Sequence, residues 1–298
     1  MSGAAAAAVP VAVAPRRQRP IVVLFRRAWR QGRTKVGVGL LLFLVAVAVF
    51  GPFFAPHDPA AFVGAPYSKP SSNALLGTDT LGRDVLSRFL WGGRSILGMS
   101  LAATAIGLVS GVTIGLIAAY SRGRLDDVLM RLMDVILAFP SIVLALVAVS
   151  TAGPQIWLIV LVVGLTTMPR VARVIRGSSA EIVERDFVQA AEALGEPRRK
   201  ILMGELLPNI TSPLMVEASL RLTYAIALIA SLSFLGFGRQ PPAADWGLMI
   251  NENQQGLTVM PWGVLAPVIA IALLTIGTSL VGDGLSRASA GIDRGADG

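Results

Sequence analysis

The chain has 298 residues, 54% of them hydrophobic and only 15% charged, with a mean hydropathy of +0.67 and a net charge of +8. A soluble domain of this size carries roughly 25% charged residues, so the deficit points to a polytopic membrane protein. The lack of cysteine and the single histidine, His57, exclude disulfides, thiolate chemistry and multi-histidine metal sites.

Residues 1–15 (MSGAAAAAVPVAVAP) are low-complexity, and their apolar part precedes the basic part, the reverse of a signal peptide. They read as a disordered tail. Residues 1–35 form a basic segment holding Arg16, Arg17, Arg19, Arg26, Arg27, Arg30, Arg33 and Lys35 and no acid. A spanning helix needs about 20 mostly apolar residues, and residues 36–56 are the first candidate, uncharged between Lys35 and Asp58.

Residues 57–94 form a loop between spans. Within it, Leu81, Val85, Leu86, Phe89 and Leu90 recur at helical spacing as one apolar stripe, with Arg83, Asp84, Ser87 and Arg88 elsewhere. That pattern predicts an interfacial helix lying flat, with Trp91 at headgroup level. It is either a packing helix leading into the next span or a docking surface for an external binding protein. The second span is 95–121. It carries Ala103, Gly107, Gly111, Gly115 and Ala119 four apart, a ridge of small residues that permits close helix approach, within this chain or toward a partner.

Residues 135–169 carry no charge, a run too long for one span, and Gly153-Pro154 reads as a turn inside it. The run divides into spans of about 129–151 and 155–174. Arg131 and Asp134 then lie near one end of the third span, at a mouth or in packing. Arg176-Gly177 closes the fourth span, and the polar insert 175–210 follows. There 178–194 can form an amphipathic helix with Ile182, Phe187, Ala190, Ala191 and Leu194 as its apolar side. Gly195 is a helix stop and Pro197 suits a first helical position. A second short helix runs to about 206, and Pro208 ends it. The fifth span is 211–237, and in it Glu217 and Arg221 stand four apart, able to pair. They form either a structural ion pair or a pathway-lining pair. The sixth span is 263–284, and 288–298 is a tail.

Lysine and arginine set orientation. With the N-terminus inside, the N-terminal tail, 121–127, the 175–210 insert (counting Arg170 and Arg173 with it) and the C-terminal tail hold most of the cations. The outer loops hold Lys69, Arg83, Arg88, Arg94 and Arg239. Both termini are therefore expected in the cytosol. The basic excess follows topology rather than nucleic acid.

Gln189-Ala190-Ala191-Glu192-Ala193-Leu194-Gly195, followed after nine residues by Glu205-Leu206-Leu207-Pro208, resembles the EAA coupling loop of ABC-importer permeases. Gln189 stands where that family often has Glu, and Glu205 where it has a hydrophobic residue. The Leu76–Arg88 block, with Gly77, Asp79, Gly82, Arg83 and Asp84, is similar to the outer-loop signature of the dipeptide/oligopeptide/nickel permeases, specifically their C subunit. So are Ala55-Pro56-His57-Asp58-Pro59, the block Met130-Arg131-Leu132-Met133-Asp134 with Phe139-Pro140, and residues 231–238 (SLSFLGFG). The likeness runs from about residue 20 to 287. One departure is Ile229, where many relatives carry an acid.

The resemblance implies an all-α fold of six transmembrane helices, the type I ABC-importer permease fold with cytosolic EAA coupling helices, in a bacterial inner membrane. It implies half of a translocation pathway for di- or oligopeptides, with nickel or another small solute as the alternative. It further implies a heterodimer with a homologous permease, two ABC ATPase subunits and an extracytoplasmic substrate-binding protein. Gln189, Ala190, Ala191, Glu192, Gly195, Leu207 and Pro208 would couple to the ATPases. ATP and magnesium would be held by those partners, with no cofactor or catalytic residue in this chain. In keeping with that, the only lysines, Lys35, Lys69 and Lys200, follow no glycine, so there is no phosphate-cradling P-loop. An ion-driven secondary transporter would need ionisable groups at mid-membrane, where only Glu217 and Arg221 stand. A membrane-embedded enzyme would need paired carboxylates, His or Cys inside spans, and these are missing.

Overall fold

The computed structural model describes residues 20–121 and 123–293. The tail reading of 1–15 and the cations Arg16, Arg17, Arg19, Arg122 and Arg294 fall outside the described residues. Among the described residues the fold is predominantly helical. Five helices among the described residues are long and apolar enough to cross a membrane, and a sixth crossing follows if one bent pair counts as a single span.

Helix α1 (Pro20–Trp29) precedes α2 (Gly32–Phe50), which a short 3₁₀ turn extends to Phe54. Residues 55–84 form a folded cap with two isolated antiparallel bridges, Phe62 to Arg83 and Thr78 to Asp84. Helix α3 (Val85–Ser121) then runs unbroken for 37 residues. At 1.5 Å per residue it is roughly 55 Å long, well beyond a hydrocarbon core of about 30 Å. The expected flat interfacial helix is therefore absent, because residues 85–94 are the first turns of α3. Its polar side is also buried, together with Val85 of the apolar stripe. Arg83, Asp84, Ser87 and Arg88 are buried, whereas Leu81 is exposed. Apolar spacing reports which side chains share a face. It does not report whether ionic partners elsewhere in the chain will bury the opposite face.

The third span differs as well. It is two helices, α4 (Arg124–Leu137) and α5 (Ser141–Ala152), bent by 77°. Pro140 has no N–H to donate and disfavours a helical Phe139, so the chain turns at that dipeptide. Helix α6 (Ile156–Val183) continues past Arg176-Gly177, where the fourth span was expected to close. Arg170, counted above with the polar insert, therefore sits within a spanning helix.

Helix α7 (Asp186–Ala193) follows a break at Glu184-Arg185. A helical stretch then comprises α8 (Arg198–Lys200), a π-helical segment Ile201–Leu206 and α9 (Leu207–Asn209). Helices α10 (Thr211–Phe234), α11 (Trp246–Asn253) and α12 (Trp262–Asp293) complete the fold.

The small-residue ridge of α3 packs inside this chain, against α6. A Cβ on Gly111 would lie 2.6 Å from Val171 Cβ and 2.8 Å from Met168 O; one on Gly115 would lie 2.6 Å from Ala172 O. Gly164 of α6 reciprocates against Ala103 and Ile106. Backbone-to-backbone approach of this kind is how helices gain dispersion contact where lipid and side chain are equally apolar.

Candidate functional site

Three groups of functional interest emerge. The first is the helical knob made by 184–209. The break at Glu184-Arg185 restarts the helical phase, so Val188 becomes its buried anchor. Val188 packs with Val183, Ile201, Leu206 and Ile210 against the ends of α3 and α6, at Leu116, Val171 and Ile175. Phe187, Ala190 and Leu194, expected on the apolar side of one longer helix, are exposed instead, Leu194 at 83%. Gln189, Glu192, Gly195 and Pro208 are exposed too, while Ala191 and Leu207 are half-buried.

Helix α7 ends in a Schellman turn. Glu196 N–H donates to Ala191 O at 3.1 Å and Gly195 N–H to Glu192 O at 2.9 Å. The turn puts Gly195 at φ +74, where a Cβ would be strained. Apart from the adjoining residues, nothing lies within 4 Å of where that Cβ would stand. Beside it, Phe187, Ala190, Ala191, Leu194, Glu205 and Lys200 line an open depression of about 300 Å³. The knob thus presents apolar side chains and small residues on a surface held rigidly from below.

The second group is the charged centre of the cap. Arg83 Nε donates to Asp79 Oδ2 at 2.6 Å and its Nη2 to Glu252 Oε2 at 2.9 Å. Arg88 Nη2 donates to the same Glu252 oxygen at 2.7 Å, with its Nε 3.4 Å from Asp79 Oδ2. Both guanidinium groups are at most 2% exposed. Asp79 Oδ1 also accepts from the Leu81 and Arg83 backbone N–H groups. Asp84 caps the start of α3 by accepting from the Ser87 N–H and hydroxyl, and Gly77 and Gly82 take positive φ around it. The signature residues are therefore buried, and they clamp the cap to α11. Trp246, fully buried, completes the clamp: its indole N–H donates to Phe89 O at 2.8 Å and its ring stacks on Phe89. At the N-cap of α11, burial pushes the Asp245 carboxyl above its usual range, opposed by the hydrogen bond its Oδ1 accepts from the Leu248 N–H. Glu252 and Trp246 carried no signal in the sequence, since their partners lie more than 150 residues away.

The third group lies between α6 and α10. Arg221 Nε and Glu217 Oε1 are 2.9 Å apart, yet the N–H does not point at the oxygen and neither atom closes a hydrogen bond. Arg170 stacks its guanidinium 5.3 Å from the centre of the Tyr224 ring, with Nη1 buried and unpartnered. Two arginines thus face one glutamate between two spanning helices. Sequence spacing found the Glu217–Arg221 pair and missed Arg170, which comes from another helix. Nearer the C-terminal end of α6, Arg173 pairs with Asp134 and Arg176 forks onto Asp126, tying α4 to α6. Arg131 is exposed.

Residues 111–290 match the model of the family described as "Binding-protein-dependent transport system inner membrane component". The chain is 35% identical over 280 residues to the glutathione transport system permease protein of Pectobacterium atrosepticum, covering 91% of this chain and 92% of the relative. It is 36% identical over 259 residues to the di/tripeptide transport system permease protein of Pseudomonas aeruginosa, covering 85% and 86%. With the dipeptide transport system permease protein of Alkalihalophilus pseudofirmus it shares 32% identity over 283 residues, 92% of each chain.

Proposed function

Since this chain belongs to the family of binding-protein-dependent transport system inner membrane components, we propose that it is the permease subunit of an ATP-driven importer for short peptides. Its relatives' names point to di- and tripeptides and glutathione. In this reading the chain forms half of a pathway completed by a homologous permease. Two ATPases engage the 184–209 knobs from the cytosol, where both termini also lie, and ATP and magnesium stay with those partners. A substrate-binding protein delivers peptide to the cap side.

The observation that carries the reading is the knob. Its apolar surface is open to a partner, while Val188 fixes its base to the ends of α3 and α6. Movement of the knob thus moves spanning helices. Nucleotide binding would draw two knobs together and favour an outward-open pathway, and hydrolysis would reverse it. The driving force is the differential affinity of nucleotide for the two states. Gln189, Ala190, Glu192 and Gly195 lie on the exposed rim with half-buried Ala191 among them, and Leu207 and Pro208 lie on the return stretch. Glu217 and Arg221, with Arg170, are pathway candidates.

Two knob variants test this. Leu194→Asp puts a charge on a side chain this chain does not bury, and Gly195→Trp adds bulk at the Schellman turn. Both are expected to abolish co-purification with the ATPase, while Leu194→Asp retains the parent's melting temperature. Undiminished association in both would overturn the coupling assignment.

A further inference from the structure

Helix α1 plays no part in the coupling argument, yet it has three distinct faces. Leu24 and Ala28 are fully buried against Leu285, Ala288 and Val281 of α12 and against Met215 and Val216 of α10. Gln31, in the two-residue link to α2, donates from its side-chain amide to Gly284 O at 3.2 Å and fixes the helix there. A second face is apolar and bare: Val22, Phe25 and Trp29 are 59%, 51% and 54% exposed. At about 100° per residue these three share one stripe, turned away from Leu24 and Ala28. Arg26, Arg27 and Arg30 occupy the sector between the two, all exposed, and Arg33 and Lys35 follow. Residues 20–35 contain no acid, and among the described residues none of these five cations is ion-paired. The adjoining turns of α12 add exposed Arg287 and one exposed acid, Asp283.

Location identifies the occupant. Ten residues span roughly 15 Å and cannot cross a bilayer. But α2 enters the membrane two residues later, and the face of α1 opposite the bare stripe is seated on two other spanning helices. The helix therefore lies at the membrane boundary. An apolar stripe there inserts among acyl chains, a tryptophan there favours the headgroup region, and flanking arginines meet phosphate.

We propose that α1 is a binding surface for anionic phospholipid in the leaflet where α2 begins. Val22, Phe25 and Trp29 would rest among the acyl chains, and Arg26, Arg27 and Arg30 would meet headgroup phosphates. Each cation near an anionic surface contributes about 1 kcal/mol, roughly a fivefold local enrichment of anionic lipid. The surface would hold acidic lipid against the α2–α10–α12 corner whether or not substrate or partners are bound.

The test uses the full chain in phosphatidylcholine vesicles containing phosphatidylglycerol with brominated acyl chains. Control vesicles contain brominated phosphatidylcholine at the same mole fraction. Trp29 is isolated as the difference between the parent and Trp29→Phe. Brominated phosphatidylglycerol is expected to quench Trp29 at least about twofold more than brominated phosphatidylcholine. The excess should vanish in the combined variant Arg26→Gln, Arg27→Gln, Arg30→Gln, shrink in molar salt, and persist with millimolar inorganic phosphate. Equal quenching by both lipids overturns the proposal, and so does quenching by neither, which would place protein over the face. Loss of the excess on adding phosphate would mark a free-anion site instead. None of these readouts depends on transport or on an ATPase, so they stand apart from the permease reading.

Discussion

Glu252 holds two arginines at once. Its Oε2 accepts from both Arg83 and Arg88, while Asp79 faces the same two guanidinium groups. Withdrawing each ion from water costs several kcal/mol, and only the balance of two cations against two anions offsets it. Such a cluster adds little net stability over an apolar core, but it is costly to unbalance. Glu252→Gln is accordingly expected to destabilise the detergent-solubilised chain by roughly 3–5 kcal/mol. Removing one cation as well, as Glu252→Gln with Arg88→Met, should recover part of the loss. A single variant that melts with the parent would contradict the charge-balance argument. At this scale the sequence was half legible. Asp79 and Arg83 share a short block, whereas Glu252, 169 residues from Arg83, is joined to them only by the fold.

Among elements, the α3–α6 pair was the most legible. Small residues four apart in a span imply close packing, and only their partner was open. Gly111→Val would drive a side chain into Val171 and the Met168 carbonyl. Overpacking of this kind costs typically 1–3 kcal/mol. Gly98→Val, in the same helix with no atom within 4 Å, should cost well under that amount. Thermal melting of the two variants separates them, and equal melting would refute the close approach. The elements read least well were those set by one dipeptide. Phe139-Pro140 bends a uniformly apolar run, and Glu184-Arg185 interrupts a helix whose composition does not change. Hydropathy averages over some twenty residues and is blind to a two-residue event.

Across the whole molecule, α6 leads into the 184–209 knob and α10 leads out of it. Arg170 on the first stands beside Glu217 and Arg221 on the second. Glu217→Gln would leave two arginines facing each other in mid-span, and charges at that depth need a partner or water. We expect this variant to reduce ATP-driven uptake of a dipeptide at least tenfold in the assembled transporter, since roughly 1.4 kcal/mol suffices for that factor. Co-purification with the ATPase should be unaffected. Glu217→Gln with Arg221→Met should regain part of the uptake. Uptake equal to the parent in Glu217→Gln would remove the cluster from the pathway.

The amino-acid sequence by itself determined that this chain is a polytopic helical membrane protein, approximately where it crosses, and which permease family it resembles. Those conclusions rest on local composition and on contiguous motifs, which survive without knowledge of contacts. The tertiary structure alone decided that the signature residues of the cap are buried as a clamp rather than displayed. It also decided that Val188 is the anchor of the knob, that Arg170 joins Glu217 and Arg221, and that α1 keeps a bare apolar stripe. Each of these depends on what lies opposite a side chain, and burial of a charge or exposure of a leucine is settled by distant partners rather than by neighbours along the chain.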